Sequence, residues 1–323
     1  MPAENVETTK PMPPSADSWQ GKRYYSVGQY YQERFGKKTY RLALSMGGSC
    51  PNRDSAIGAC SFCDEWGSAG FYVRPQLSIA TQIEQYKTGL IRRFKPEAYL
   101  AYFQPYTNSF GRTEALAPLL EEALAAPEVI GLILGTRPDC LSSSLFPLLE
   151  GFIAAGAYVS IELGIQSFDE QALKFLNRGH GAAACLEGLK KVAAHPKIDL
   201  GVHLMFGLPG ETDQKLIETA HRLNDSGVSL VKLHQLHVLK NTPLEALYLK
   251  GEYQPLELDE YARKVTLFLE QLDPKIALGR LAANASHVEE LVAPLWSGEK
   301  MRPINHIEKY LERHSARQGR LVA

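Results

Sequence analysis

Three cysteines lie within one short stretch of the chain, "CPNRDSAIGACSFC", residues 50 to 63. Nine residues separate Cys50 from Cys60, and two separate Cys60 from Cys63. Thiolates bind soft metals, and a C-x-x-C pair is a frequent chelating unit. The stretch is too polar to place three small cysteines in a core. We therefore interpret it as the ligand set of a metal centre.

Two kinds of metal centre fit three clustered thiols. Structural zinc takes four protein ligands, and no Cys or His stands at ligand spacing beside the triplet. Cys140 and Cys185 could complete a zinc site only if the fold brought them close. A [4Fe–4S] cube with three cysteine ligands leaves its fourth iron free for an exogenous ligand. The cluster is favoured, with zinc as the alternative.

The composition excludes several classes of protein. With 35 basic and 36 acidic residues the chain has no overall polyelectrolyte character, and its 45% hydrophobic residues suffice for a large core. Residues 1–20 are rich in Pro, Ser, Thr and Glu and are expected to form a disordered tail. There is no export signal and no run of ~20 apolar residues, so we expect a cytoplasmic protein without a membrane segment.

Apolar segments alternate with helical patterns along the chain. Strands are expected at 40–46, 98–104, 129–135, 157–165, 198–207 and 229–239, and helices at 78–94, 112–125, 142–155, 181–194 and 211–226. Such alternation predicts a parallel α/β sheet, either doubly wound or curled into a barrel. The rest of the chain adds a long helix, "LDEYARKVTLFLEQL", a short "KIALGRL" and a polar helix near 303–315.

The segments that follow the strands carry unusual polar, glycine and proline content. They read "GGSC", "QPYTNSFG", "GTRPDC", "GIQSF", "FGLPGET" and "HVLKNTPL". Function in parallel sheets concentrates at the carboxyl ends of the strands. We expect the site there, with the cysteine loop after the first strand.

These features together resemble a known family. A cysteine loop after the first strand, with the aromatic Phe62 inside its C-x-x-C, looks like the radical S-adenosylmethionine (SAM) superfamily. The motifs "TRPDCL", "IELGIQS", "NRGH", "GLPGE" and "LVKLHQLHVLKNTPLEALYLKGEYQPL" resemble the radical SAM domain of the Elongator catalytic subunit and its short bacterial relatives. The resemblance implies an α/β fold, a partial (β/α)6 TIM-like barrel at 21–281, followed by a helical extension at 282–323.

The resemblance also implies a reaction and its cofactors. Cys50, Cys60 and Cys63 would bind a [4Fe–4S] cluster, whose open iron chelates SAM. One electron, from a flavodoxin or ferredoxin type of donor, cleaves SAM to a 5′-deoxyadenosyl radical that takes a hydrogen atom from the substrate. The protein supplies orientation and a closed cavity.

Further residues are implied as SAM contacts. Gln104, Thr107 and Asn108 stand where the family recognises the amino acid part of SAM, although the Gly-Gly-Glu of many members is absent here. Gln166 and Arg178 resemble ribose and carboxylate contacts. The remaining implied residues are His203 and Met205, which with the backbone of "FGLPG" would flank the adenine, and Glu162, which shares one strand face with Gln166 if that strand is regular.

Several of these side chains have structural alternatives. Glu162 could be a buried carboxylate paired with Arg137 or Arg178. His203 could be a satisfied core histidine. Lys232, on a strand, would be costly to bury unpaired, and we predict a catalytic role at substrate or cofactor for it. Arg137 and Asp139 are expected to order their loop, and His234 and His237 to face opposite sides of a strand.

The Elongator resemblance implies tRNA as the substrate. Residues 21–41 hold six basic residues and six aromatics, which could grip phosphates and stack bases, or could simply pack on the barrel. Only 42 residues follow Leu281, too few for an acetyltransferase domain. We therefore expect a radical reaction that remodels a side chain on C5 of the wobble uridine, such as carboxymethylaminomethyl to aminomethyl. Basic residues that could extend the RNA surface are Lys309, Arg313, Arg317 and Arg320.

Other functions remain open on the sequence. The main alternative is a radical SAM enzyme acting on a peptide or small metabolite, and a second is a zinc-stabilised RNA-binding protein. A methylthiotransferase would need three further cysteines, and only Cys140 and Cys185 remain.

Overall fold

The computed structural model describes residues 19–64, 67 and 76–322. The expected disordered tail therefore lies outside the described residues except for its last two positions, of which Trp19 is buried in the core. The helices are α1 (Val27–Phe35), α2 (Ile79–Phe94), α3 (Thr113–Leu124), α4 (Leu145–Ala154), α5 (Glu170–Phe175), α6 (Ala182–Ala193), α7 (Asp213–Asn224), α8 (Pro243–Leu249), α9 (Leu258–Gln271) and α10 (Arg302–Arg313).

The strands form one parallel sheet and one small antiparallel pair. The strands are β1 (Thr39–Leu44), β2 (Ala98–Phe103), β3 (Val129–Thr136), β4 (Tyr158–Gln166), β5 (Asp199–Phe206), β6 (Leu230–Gln235), β7 (Val238–Leu239), β8 (Ala277–Arg280) and β9 (Leu291–Ala293). The large sheet has the order β1-β2-β3-β4-β5-β6-β8, and β7 pairs with β9. All six expected strands are confirmed, and "KIALGRL" supplies a seventh, β8.

The sheet curls strongly. Neighbouring strands lie ~4.8 Å apart, so in a flat sheet β2 and β6 would be about 19 Å from each other. Yet Lys232 Nζ on β6 donates to Tyr102 Oη on β2 at 2.8 Å. Arg41 on β1 likewise reaches Glu162 on β4, at 2.9 Å. Side chains from distant strands thus meet inside a partial barrel, as expected for the implied fold.

Several helices that follow the carboxyl ends of strands start with a capping side chain. Ser78 caps α2 and accepts from the Thr81 backbone N–H, and Thr212 caps α7 directly after the "GLPGE" loop. A side-chain oxygen at this position satisfies a backbone donor that the helix leaves free. The caps therefore fix where each loop of the carboxyl edge ends and its helix begins.

The aromatic residues of segment 21–41 are part of the core. Tyr24, Tyr25, Tyr30 and Tyr31 are all at most 6% exposed. α1 carries two of them against β2, β3 and β4, where Phe35 contacts the Tyr158 ring. Buried rings cannot stack RNA bases, so that interpretation of the tyrosines was wrong and the packing alternative is confirmed.

The C-terminal segment packs on the same core. Ile307 and Leu311 of α10 are fully buried in the cluster that also contains the inner faces of α7 and α9. The Gln318 side chain accepts from the Tyr25 backbone N–H at 2.9 Å and donates to the carbonyls of Asp273 and Ile276 at 2.8 Å each. None of the helices in the described part of the chain has the length and apolar character that a bilayer span requires.

Candidate active site

The three clustered cysteines open into one cavity at the carboxyl edge of the sheet. Cys50, Cys60 and Cys63 all line it, and it encloses about 700 Å³ of empty space, counting its open mouth. Its other walls come from the ends of β3, β4 and β5. The lining residues on those strands are Gly135, Thr136, Glu162, Gly164, Gln166 and His203, and Arg137 and Arg178 line the cavity from the segments after β3 and α5.

Each of the three thiols faces a different guanidinium group. Arg137 Nη1 lies 3.8 Å from Cys50 Sγ, Arg178 Nη1 lies 3.3 Å from Cys60 Sγ, and Arg53 Nη2 lies 3.3 Å from Cys63 Sγ. Cationic donors of this kind favour a thiolate over a thiol. The arrangement therefore suits sulfur ligands that carry negative charge.

The pKa values of two thiols show how burial and these donors compete. Burial opposes ionisation of Cys50, yet hydrogen bonds from Thr107 and the backbone and the charge of Arg137 bring its pKa below the usual value. At Cys63 burial dominates and raises the pKa to about 11, despite Arg53. A bound metal cation would have to offset the effect of burial on the pKa of Cys63, as metals do for the thiols that they bind.

Asn52 holds the cysteine loop against two other loops. Its Nδ2 donates to the Asn177 carbonyl at 2.6 Å, and its Oδ1 accepts from Arg137 Nη1 at 2.6 Å. Arg137 in turn pairs with Asp139 at 2.8 Å. Arg137 and Asp139 therefore order their loop, as expected, and also fix the position of the cysteine loop.

The donor set fits a cluster with three protein ligands. Among the described residues, no three His, Cys, Asp or Glu side chains converge on a point that could hold a single metal ion. A [4Fe–4S] cube does not require its thiolates to converge on one point, because each thiolate binds a separate iron. Cys140 and Cys185 are free thiols and are not among the described residues that line this cavity.

Glu162 is the centre of a buried ion-pair network beneath the cysteines. Its Oε1 lies 2.9 Å from Arg41 Nη1, and its Oε2 lies 2.6 Å from Lys232 Nζ and 2.8 Å from His203 Nε2. The paired alternative for Glu162 is thus seen, but with these partners instead of Arg137 or Arg178. Burial alone would raise its pKa, whereas Arg41, Lys232 and His203 hold the pKa well below its usual range.

Two glycines make room for this network. A Cβ at Gly201 would lie 2.7 Å from Glu162 Cγ, and one at Gly279 would lie 2.8 Å from Lys232 Cγ. Both glycines lie on strands next to the side chain that they admit. The backbone of β5 and β8 therefore lets long charged side chains lie inside the barrel.

The implied SAM residues fall into three groups. Thr107, Glu162, Gln166, Arg178 and His203 line the cysteine cavity. Met205 lines a neighbouring cavity with Gln166 and the "GLPG" loop, which encloses about 710 Å³. The last group, Gln104, Asn108 and Lys232, is absent from the described lining of these cavities.

The last group has other surroundings. Asn108 Nδ2 donates to the carbonyls of Phe103 and Gly135, at 2.8 Å each, and so orders the end of β2. Lys232 Nζ lies 4.0 Å from the centre of the Tyr102 ring and is covered by Glu162. The roles predicted for these residues stay predictions.

Two expectations about strand geometry need correction. β4 carries an irregularity between Leu163 and Gln166, where Gln166 has a positive φ of 66°, so the strand is not regular. Gln166 nevertheless lines the same cavity as Glu162. The expectation that His234 and His237 face opposite sides was wrong, because β6 ends at Gln235 and both histidines line one cavity.

Comparison with known proteins places the chain in a family. The model of the radical SAM superfamily matches residues 44–223, and that of the radical SAM C-terminal domain matches residues 228–313. The chain belongs to the radical SAM superfamily. Proteins of this superfamily use a [4Fe–4S] cluster and SAM, and this chain is a radical SAM enzyme.

Relatives and a solved structure agree with that placement. The chain is 34% identical over 301 residues to the uncharacterized protein YtqA of Bacillus subtilis, covering 93% of this chain and 92% of that protein. It is 28% identical over 168 residues to the tRNA uridine(34) acetyltransferase of Methanocaldococcus jannaschii, which is 49% of this chain but 30% of that enzyme. The structure of Elp3 from Methanocaldococcus infernus aligns with a TM-score of 0.67 at 17% identity, over 87% of this chain and 64% of that one. The Elp3 likeness confirms the fold of the barrel.

Sequence reasoning missed four residues of the site. Asn52 and Arg53 lie inside the quoted cysteine stretch, so their polarity beside the ligands was the available signal. Arg41 was grouped with a surface patch, and its position on β1 three strands from Glu162 gave no sign of contact. Arg280 lies on a strand that was not expected.

Proposed function

We propose that this enzyme acts on tRNA and remodels the C5 side chain of the wobble uridine, for example carboxymethylaminomethyl to aminomethyl. The observation that carries the choice of substrate is the 28% identity over 168 residues to an enzyme named tRNA uridine(34) acetyltransferase. The chemistry rests on the three thiols in one cavity, each beside a guanidinium.

The residues of the cavity have separable roles in this proposal. When bound, the cluster and SAM would supply a 5′-deoxyadenosyl radical that takes a hydrogen atom from the carboxymethyl carbon. With SAM as the net two-electron oxidant, water would then release the two-carbon fragment as glyoxylate and leave the amine. Cys50, Cys60 and Cys63 bind the cluster. Arg53, Arg137 and Arg178 stabilise the negative charge on the three sulfur atoms.

A second set of residues binds SAM and supports its site. Gln166 and Arg178 bind it next to the cluster, while His203 and Met205 flank its adenine. Glu162 is a fixed acceptor at the floor of the cavity. In place of the catalytic role predicted for Lys232 from the sequence, we propose a positioning role, since its Nζ contacts Glu162 and Tyr102.

The partners and the compartment follow from the same proposal. A small one-electron donor of the flavodoxin or ferredoxin type reduces the cluster, and the enzyme works in the cytoplasm, where tRNA is modified. Exposed cations for tRNA phosphates include Lys37 and Lys38 near β1 and Arg313 and Arg317 near the C-terminus.

One observation favours a second candidate, an enzyme of the same class acting on a peptide or small metabolite. Four of the six aromatic rings of segment 21–41 are buried, which weakens one of the features that indicated RNA. Absence of salt-dependent tRNA binding would favour this candidate.

The test uses anaerobically reconstituted enzyme with dithionite, SAM and tRNA isolated from a strain deleted for the gene. We expect 5′-deoxyadenosine to rise with tRNA, and nucleoside mass spectrometry to show carboxymethylaminomethyluridine converted to aminomethyluridine. Cys60→Ala should lose iron and both products, while the matched control Cys140→Ser, outside the cavity, should retain them. An unaltered nucleoside profile would reject the proposed substrate, and one equivalent of zinc without iron would reject the cluster.

A further inference from the structure

A further cavity adjoins the cysteine cavity on the side of β6 and β8. It shares Phe62, Gln166 and His203 with the cysteine cavity, and it encloses about 760 Å³ including its mouth. Its own polar lining includes His234, His237, Arg280, Asn284 and Ser286. A substrate held in this second cavity would lie next to the cluster and SAM.

Arg280 enters this cavity without an ion-pair partner among the described residues. Its Nε is shielded from solvent and makes no hydrogen bond, and no carboxylate in residues 19–64, 67 and 76–322 forms an ion pair with it. Burial lowers the pKa of Arg280, but a guanidinium stays charged in proteins. Arg280 is half-buried, and a cation partly removed from water without a counter-charge is costly, so an anion bound here would stabilise it.

The neighbouring carboxylate cannot supply that anion. Both carboxylate oxygens of Glu162 already have partners. Oε1 contacts Arg41, and Oε2 contacts Lys232 and His203. Asp64, which also lines the cavity, comes from the cysteine loop, where Arg53 interacts with it. Among the described residues, the barrel interior therefore holds three cationic side chains, Arg41, Lys232 and Arg280, around the single carboxylate of Glu162.

The wall around Arg280 is held rigidly. Gln235 Nε2 donates to the Ala283 carbonyl at 2.6 Å and to Ser297 Oγ at 2.8 Å, and Gln235 Oε1 accepts from the Ala283 N–H at 2.9 Å. These bonds fix the chain just before Asn284. A wall that is fixed before binding reduces the ordering cost of a ligand.

We propose that Arg280 binds a carboxylate of the substrate in this cavity, with His237 and Asn284 beside it. A guanidinium offers two parallel N–H donors that match a carboxylate. This inference rests on the proposed function, because the carboxymethylaminomethyl group carries a carboxylate that aminomethyl lacks. Arg280 then selects the side chain that still has to be processed.

The test measures charge preference on the reconstituted enzyme with SAM and without reductant. The probes are two uridines that carry carboxymethylaminomethyl or the isosteric carbamoylmethylaminomethyl group at C5, so they differ only in the charge and hydrogen bonding of that terminal group. We expect calorimetry to show the carboxylate bound roughly tenfold to a hundredfold more tightly. Arg280→Met should abolish the preference and Arg280→Lys should restore part of it. Arg317→Met, an exposed control, should leave the preference intact.

Equal binding of the two probes by the unaltered enzyme, or a preference that survives in Arg280→Met, would overturn the inference. Inorganic phosphate competing as well as the carboxylate would overturn it too and would assign the cavity to a phosphate of the RNA.

N-ethylglycine separates this inference from the proposed function. It carries the same carboxymethylamino group without the nucleoside, and its binding can be followed by ligand-observed NMR. Binding that depends on Arg280, in an enzyme that leaves tRNA unmodified, would reject the proposed function and support the carboxylate site. Modified tRNA together with an unchanged charge preference in Arg280→Met would support the proposed function and reject the carboxylate site at Arg280.

Discussion

At the scale of single residues, the site depends on charges that are balanced inside the barrel. Glu162 is 1% exposed and lies between Arg41 and Lys232, which come from strands on either side of β4. Removing one partner from a buried ion pair leaves the other charge unsatisfied. The network around Glu162 therefore acts mainly by making other arrangements of Glu162, Arg41 and Lys232 unfavourable.

The first prediction concerns this network. Glu162→Gln should lower the free energy of unfolding by about 3 to 5 kcal/mol, because it leaves two buried cations without their carboxylate. The matched control is Glu128→Gln, whose carboxylate pairs with Lys87 at 2.7 Å but is 56% exposed. We expect at most about 1 kcal/mol there. Urea unfolding measures both, and similar losses would contradict the role given to burial.

The second prediction concerns acid sensitivity. Burial lowers the pKa of His203 and of His237 to about 4, from an ordinary value near 6.5. Between these values the unfolded chain binds more protons than the folded one, so stability falls as the pH falls through this window. We expect the urea midpoint to drop from pH 6.5 to pH 4. His237→Gln should make the drop less steep, and an unchanged slope would contradict it.

At the scale of elements, the strands set which side chains meet. β5 and β8 carry glycine directly beside Glu162 and Lys232, and the curl of the sheet brings β1 and β2 to the same point. The loops after the strands supply the cysteines and their arginines. The elements thus separate two tasks, since strands hold the buried charges and loops hold the ligands.

The third prediction tests that close approach. Gly201→Ala would place a methyl group 2.7 Å from Glu162 Cγ, so the buried network must shift. We expect a loss of about 1 to 3 kcal/mol in unfolding free energy. Gly89→Ala, in α2 with no atom within 4 Å of the added methyl, should instead gain about 0.5 to 1 kcal/mol. Equal effects in urea unfolding would show that space beside Glu162 is not limiting.

At the scale of the whole molecule, the N-terminal segment packs on the inner face of the sheet, and the C-terminal segment packs on the outer helices. α1 covers one side of the sheet, and the chain after α10 crosses to it through Gln318. Ile307 and Leu311 join the core of the barrel. The proposed extension at 282–323 is therefore expected to unfold together with the barrel.

The fourth prediction tests this unity. Gln318→Ala should cost about 2 to 4 kcal/mol, since it leaves the Tyr25 N–H and two carbonyls buried without partners. The control Gln214→Ala, which loses one exposed hydrogen bond to Glu218, should change little. Both variants should unfold in a single transition. Two separate transitions in urea would show that the extension is an independent unit.

The sequence by itself determined the succession of strands and helices along the chain and the family, and it predicted the cysteine ligand set. Periodicity, turn residues and thiol spacing are local, so they can be read without knowing what lies across the fold. The family resemblance also implied that Gln166, Arg178 and His203 would meet at one site, and all three line the cysteine cavity. The seventh strand was missed because four residues give too short a pattern.

The tertiary structure decided which residues share a cavity. Arg41 contacts Glu162 across 121 positions of sequence, and nothing local distinguishes it from the exposed cations beside it. The packing decided equally that Tyr24, Tyr25, Tyr30 and Tyr31 belong to the core and that Arg280 Nε has no hydrogen-bond partner in the described part of the chain. Charge balance in a folded interior depends on distance through space, and distance through space is set only once the sheet has curled.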